Sequence, residues 1–195
     1  MSKTKYKGKF VSRGGEKLEH ALREFNISVE GLVCADFGSS TGGFTDCLLQ
    51  HGAAKVYSVD TGYGVLDYKL RTDPRVVVME RTNAMHVVIP EKVDLVTIDT
   101  SWTKQKNILK NAIANLKPEG MIISLIKPHY EAGGAELEAG KLDDEVAIGV
   151  VADLLGKIET LGLKVNGVPI ESPIRGGRAG NMEYLITAIH SSYQQ

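Results

Sequence analysis

The stretch Leu32-Val33-Cys34-Ala35-Asp36-Phe37-Gly38, continuing through Ser39-Ser40-Thr41-Gly42-Gly43-Phe44 to Lys55-Val56-Tyr57-Ser58-Val59-Asp60, decides the fold. Its first seven residues are a short apolar run closed by glycine, the pattern of a strand buried on both faces. Residues 43–50 suit a helix, and residues 55–60 read as a second strand ending in an acid. Strand, glycine turn, helix and strand together make one unit of a parallel α/β sheet.

The alternation continues outward from this unit. Residues 75–80 and 93–99 read as a third and a fourth strand, a helix near 104–116 follows, and 120–126 is a fifth strand. Ala147, Val150, Val151, Leu154, Ile158 and Leu161 form a long apolar stripe, which predicts a helix over 143–161. Residues 163–171 and 182–190 close the chain as two further strands, read as an antiparallel pair. On the amino-terminal side, Leu18, Ala21, Leu22 and Phe25 fall on one helical face, so a short helix docks on the core there. No internal repeat or linker interrupts residues 12–190. The expectation is a doubly wound α/β domain with a mostly parallel, seven-stranded sheet and helices on both faces.

Composition agrees and narrows the function. The 195 residues are 43% hydrophobic and 24% charged, which excludes a fibrous or wholly disordered chain. No uncharged apolar run approaches the ~18 residues of a membrane span, and the start MSKTKYKGKF lacks the apolar core of a signal peptide. Cys34 and Cys47 cannot build a disulfide framework, and no cluster of His, Cys and carboxylates has metal spacing. A cytoplasmic location and no metal are expected. The net charge of −1 hides an asymmetry: residues 1–23 carry Lys3, Lys5, Lys7, Lys9, Arg13, Lys17 and Arg23 against Glu16 and Glu19. That segment is therefore +5 and the remainder −6. Residues 1–11 are read as a basic flexible arm and 12–195 as the domain. Polyanion contact and a solvated, solubilising tail both fit such an arm.

Ligands of doubly wound sheets bind beyond the carboxyl ends of the strands. There the first strand offers the glycine loop 38–43 and the second Asp60, whose carboxylate can accept both hydroxyls of a ribose. Asn83, after the third strand, either meets an adenine edge or forms an Asx turn. The fourth strand ends in Asp99-Thr100-Ser101-Trp102 and the fifth in Lys127-Pro128-His129-Tyr130. Trp102 and Tyr130 either stack a splayed base or serve as wall. Arg175 and Arg178, on a glycine-rich loop, are candidates for phosphate contact or for a solvated surface.

Asp36-x-Gly38-x-x-x-Gly42-Gly43 resembles the S-adenosylmethionine loop of class I methyltransferases. Ser12-Arg13-Gly14-Gly15-Glu16-Lys17-Leu18, Val59-Asp60-Thr61-Gly62-Tyr63-Gly64, Glu80-Arg81-Thr82-Asn83, Leu125-Ile126-Lys127-Pro128 and Gly180-Asn181-Met182-Glu183-Tyr184 occur in order along with it. In combination they resemble the methyltransferase domain of the TlyA family, whose members are named both haemolysin A and ribosomal RNA ribose 2'-O-methyltransferase. The resemblance covers roughly residues 11–190. It implies a Rossmann-like, FtsJ/RrmJ-like class I methyltransferase using S-adenosylmethionine, held by Asp36, Gly38, Ser39, Thr41, Gly42, Phe44, Asp60, Asn83 and Asp99. It also implies a Lys-Asp-Lys-Glu catalytic tetrad at Lys17, Asp99, Lys127 and Glu183, with Arg13, Arg175 and Arg178 toward RNA.

Methylating a ribose 2'-hydroxyl requires a weak acid to lose its proton during in-line attack on a sulfonium methyl. A lysine can take that proton only in its neutral form, which neighbouring positive charge favours. Lys127 is thus expected as base and Lys17 as the neighbouring cation. Two departures from the family stand out. Members usually carry an S4 RNA-binding domain before the SRGG motif, where this sequence has eleven residues. The motif at Asp99 reads DTSWTK rather than an Asp-Val-Ser-Phe type sequence. The expected partner is RNA, in the form of a ribosomal subunit, with a helper protein supplying the S4 function. The rival readings are a membrane-active cytolysin and a catalytically silent module that binds RNA or cofactor.

Overall fold

A computed structural model describes residues 6–177 and 179–192. Seven strands form one sheet: β1 (Val33–Phe37), β2 (Lys55–Val59), β3 (Val76–Met79), β4 (Val93–Ile98), β5 (Leu116–Ile126), β8 (Leu163–Glu171) and β9 (Tyr184–His190). Their order is β3-β2-β1-β4-β5-β9-β8. The first five run parallel, while β9 is antiparallel to both β5 and β8. The expected final antiparallel pair is thus present at one edge. A separate hairpin, β6 (Leu137–Glu138) with β7 (Lys141–Leu142), lies outside the sheet.

Burial explains the central strands. Every residue of β1 except Val33 is buried, because helices cover both faces and leave no position for a polar outer side chain. On one face, α1 (Gly14–Glu24) and α2 (Gly43–Gln50) pack Leu18, Leu22, Phe44 and Leu48 on Cys34, Leu95, Ile123 and Leu125. On the other, α4 (Gln105–Asn115) and α6 (Asp144–Glu159) pack Ile108, Leu109, Leu154 and Ile158 on Phe37, Ile98, Ile122 and Ile126. Asp143 caps α6 by accepting from Glu145 N–H at 2.9 Å, and the helix ends two residues before the expected limit, ahead of Gly162 at φ +80°. Two short helices, α3 (Tyr68–Arg71) and α5 (Pro128–Glu131), complete the set.

Over residues 6–11 the amino-terminal segment differs from a free arm. Phe10 is buried in the α1/α2 core, Val11 N–H donates to Asp46 Oδ2 at 2.8 Å, and Tyr6 and Lys9 reach Glu16 and Glu19 on α1. An aromatic ring of this size under a helix is worth roughly 1.5–3 kcal/mol of burial, enough to dock the strap. Lys3 and Lys5 lie outside the described residues.

Strand order reverses between β1 and β4, so the connections that leave them run to opposite sides and a crevice forms beyond their carboxyl ends. The site is at this point.

Candidate active site

Gly38 opens the crevice. It adopts φ +87°, and a Cβ there would stand 2.6 Å from the Asp99 carbonyl oxygen, so glycine alone lets the ends of β1 and β4 approach. Gly38 and Ser39 donate their N–H groups to Val59 O, which fixes the loop on β2. Ser40, at φ +50°, donates its N–H to Asp60 Oδ2 at 2.8 Å, while Gly62 N–H donates to Oδ1 at 2.7 Å. Each Asp60 oxygen therefore keeps a lone pair for a ligand hydroxyl.

Two adjoining cavities fill the crevice. The first, about 310 Å³, is walled by Arg13, Lys17, Gly38, Ser39, Thr41, Phe44, Asp99, Ser101 and Lys127 among others. The second, about 270 Å³, is walled by Asp60, Thr61, Thr82, Asn83, Thr100, Trp102 and Ile108, and shares Gly38, Ser40, Asp99 and Ser101 with the first. A molecule with a nucleoside at one end and a charged tail at the other fits such a two-chambered groove.

The four residues of the expected tetrad come together as two ion pairs. Lys17, on the buried face of α1, pairs with Glu183 just before β9; their side chains are 11% and 3% exposed. Gly176 makes room for that carboxylate, since a Cβ there would overlap Glu183 Oε1. Lys127, at the end of β5, lies 2.5 Å from Asp99 Oδ1. That contact is off hydrogen-bond alignment, so Asp99 Oδ1 is buried with no aligned donor, as is Thr100 Oγ1 on the neighbouring wall. Lys127 Nζ donates one long bond, 3.4 Å, to Ser101 Oγ. The Thr100 hydroxyl, buried at the wall of the second cavity with no partner, is a group that a polar ligand would satisfy.

The remaining expectations divide. Gly38, Ser39, Thr41, Phe44, Asp60, Asn83 and Asp99 all line the two cavities. Asn83 also forms the Asx turn, its Oδ1 accepting from Met85 N–H at 2.9 Å, so its amide NH₂ is what remains for a ligand. Asp36 and Gly42, by contrast, face away from the groove. Asp36 is wholly buried, with Thr45 Oγ1 and Thr97 Oγ1 donating to its two oxygens at 2.7 and 3.1 Å. Gly42, at φ +98°, begins α2, where a Cβ would strike Leu70 Cδ1 at 2.2 Å. Both shape the loop from beneath.

Arg13 is exposed on the rim of the first cavity. Arg175 turns instead to α6, where its guanidinium makes a bidentate pair with Asp144 at 2.9 and 3.1 Å. Arg178 lies outside the described residues. His129 is half-buried beside Tyr130, and burial, aided by the Lys127 charge, pushes its imidazole below the usual range. Its Nδ1 is buried without a partner, and it lines neither cavity of the groove. Sequence reasoning left Ser12 and Ser101 unassigned, although both sit inside quoted motifs and both line the groove. Among the described residues no three His, Cys, Asp or Glu side chains gather as for a metal, and no helix is long and apolar enough to cross a membrane.

The profile of the FtsJ-like methyltransferase family matches residues 10–189. Hemolysin A of Brachyspira hyodysenteriae is 43% identical over 190 residues, covering 91% of this chain and 75% of that protein. The 16S/23S rRNA (cytidine-2'-O)-methyltransferase TlyA of Mycobacterium tuberculosis is 40% identical over 182 residues, 91% of this chain and 67% of its own. A crystal structure of a hemolysin-named protein from Lactococcus lactis superposes with a TM-score of 0.88 at 41% identity, covering 93% of this chain and 89% of that one. The fold is also shared with S-adenosylmethionine-dependent methyltransferases that are 18–19% identical. The chain belongs to the FtsJ-like methyltransferase family, with S-adenosylmethionine as its cofactor.

Proposed function

We propose that this chain transfers a methyl group from S-adenosylmethionine to a ribose 2'-hydroxyl of RNA, with ribosomal RNA, the substrate in the name of the TlyA relative, as the target. The observation that carries the reading is the meeting of the Lys17–Glu183 and Lys127–Asp99 pairs at one groove. Two lysines, each beside a carboxylate, placed along one cavity suit the transfer of a proton from a hydroxyl.

The residues present fit the cofactor. Asp60 would take the ribose hydroxyls on its spare lone pairs, the Asn83 amide an adenine nitrogen, and Ser39, Thr41 and Phe44 would line the tail. When bound, the cofactor supplies an already activated sulfonium methyl, so alignment provides most of the acceleration. Lys127, in its neutral form, would receive the proton of the attacking hydroxyl at Nζ, and Asp99 would hold the resulting ammonium at the junction of the two cavities. Lys17 is the second cation, its place fixed by Glu183. Trp102, 85% exposed, lies with its ring centroid 5.8 Å from that of Tyr130, a wall on which a splayed base can stack. Arg13 on the rim and the amino-terminal lysines would meet phosphates. An assembled ribosomal subunit in the cytoplasm, with or without a helper protein, is the substrate form this reading favours. The cytolytic and silent-module alternatives have no comparable observation among the described residues.

Transfer of labelled methyl onto purified ribosomal subunits tests the proposal. Lys127→Ala is expected to lower kcat by about 10²–10⁴-fold, the usual worth of a general base, with affinity for S-adenosylhomocysteine unchanged. A variant that keeps most of its turnover would remove Lys127 from the base role.

A further inference from the structure

The helix that follows β4 carries a feature the catalytic reading does not use. From Trp102 the chain runs Trp-Thr-Lys-Gln-Lys-Asn-Ile-Leu-Lys to Lys110, three bases among nine residues with no acid. The helix α4 sorts them by face. Gln105, Ile108, Leu109 and Ala112 are buried, while Lys106 and Lys110 are exposed. Lys106 and Lys110 are one turn apart, about 6 Å along the axis, and Lys104 stands at the N-cap. The start of this helix is at the mouth of the groove, because Trp102, Thr103 and Ile108 wall the second cavity.

These cations also make no direct ion pair. Arg175, Lys69, Arg71, Lys55, Lys117 and Lys9 are each tied to a carboxylate. Among the described residues Lys104, Lys106 and Lys110 form no ion pair. Lys104 Nζ donates a single long bond, 3.4 Å, to the Glu131 carbonyl oxygen. The Glu131 carboxylate is spent elsewhere, on the Gln105 N–H at 2.6 Å, and burial raises it above the usual carboxylate range. Glu131, Glu136 and Asp153 share a hollow of about 270 Å³ with Lys104, Lys106 and Lys157, but not with Lys110, and the Lys104 and Lys106 charges act on the Glu131 carboxyl across it. Many other surface bases on this protein are tied directly to a carboxylate; a row with no direct ion pair, beside an exposed tryptophan at the groove mouth, is suited to a phosphate backbone with stackable bases.

We propose that the solvent face of α4, through Lys104, Lys106 and Lys110, holds the RNA strand that leaves the acceptor site on the Trp102 side. The inference rests on the reading of RNA as substrate. It places phosphate contacts on the β4 side of the groove, opposite the Arg13 rim, so that the target nucleotide is drawn across the junction of the cavities between two positively charged banks.

The test uses the full chain and a fluorescent single-stranded RNA twelve nucleotides long, with purified ribosomal subunits as a second probe. Binding is measured from low to high salt for the wild type, for Lys104→Gln/Lys106→Gln/Lys110→Gln, and for Lys92→Gln/Lys164→Gln, which removes charge from the opposite end of the strands. Each lysine–phosphate interaction removed should flatten the log–log salt slope by about 0.7–0.9, roughly a five- to eightfold weakening at 0.1 M relative to 1 M salt. The α4 variant is expected to show a slope shallower by about 2, while binding S-adenosylhomocysteine as the wild type does. The control should change little. Equal slopes in the wild type and the α4 variant, on both probes, would overturn the inference while leaving an RNA substrate standing. A wild type with no salt-dependent affinity for either probe would overturn the RNA reading itself. A control whose slope falls as far as that of the α4 variant would overturn the assignment to this face, because net charge would then be what RNA senses.

Discussion

Asp36 sets the sharpest thermodynamic test of how the cofactor loop is built. It stands near the end of β1 beneath the glycine turn, fully buried, with hydroxyls of Thr45 and Thr97 as its partners. Burial raises its carboxyl from 3.8 to about 7, the two hydroxyls pulling it back and the charge of Asp99 adding to the rise. A neutral acid has a proton to donate, and Ser58 Oγ, at the paired register position on β2, is buried without a partner. The folded chain therefore retains a proton that the unfolded chain releases near pH 4. Stability from this group is complete below about pH 4 and is lost as pH rises through about 7. At 1.36 kcal/mol per pH unit, the whole interval amounts to about 4 kcal/mol, and the part between pH 5 and 7 to roughly 2–3 kcal/mol. Asp36→Asn is neutral at every pH and should lack this dependence. Urea unfolding of both proteins from pH 5 to pH 8 measures it: the variant should gain on the wild type by roughly 2–3 kcal/mol between pH 5 and 7. A stability difference that does not change over that range would show Asp36 to be an ordinary ionised carboxylate.

Two further outcomes follow from the groove. Asp60→Ala should weaken S-adenosylhomocysteine binding by roughly 10- to 100-fold, since it removes charged hydrogen bonds of about 1.5–3 kcal/mol; calorimetry giving equal affinities would take Asp60 out of the site. Glu183→Gln leaves the Lys17 ammonium without its counter-ion in a place where 11% of its side chain is exposed, and should destabilise the fold by about 3 kcal/mol in urea unfolding. A loss below about 1 kcal/mol would mean that the cavity itself solvates Lys17.

Fold class was legible because its signals are short-range. Short, mostly apolar runs ending at Gly38, Asp60, Asp99 and Lys127 identify buried parallel strands and their ligand-facing ends without knowledge of contacts. The stripe from Ala147 to Ile158 did the same for α6. What was not legible depends on tertiary partners. Asp36 and Gly42 share a motif with Gly38, yet the direction each faces is set by Thr45, Thr97 and Leu70 across the core. Arg175 looked free because its partner, Asp144, is 31 residues away in sequence. The hairpin 137–142 turns on Ala139 and Gly140, both at positive φ, and alanine gives no signal for that conformation. Ser101 was hidden for a plainer reason: its role comes from standing between two cavities, and position is not composition.

The central claim is that the methyl group goes to a ribose oxygen, at the groove where Lys127 meets Asp99. Ribosomal subunits incubated with the wild-type chain and labelled S-adenosylmethionine should therefore yield RNA whose label, after complete alkaline hydrolysis, sits in a dinucleotide: a methylated 2'-oxygen can no longer attack the adjoining phosphate. Label recovered in single nucleotides carrying the methyl on the base would contradict the account.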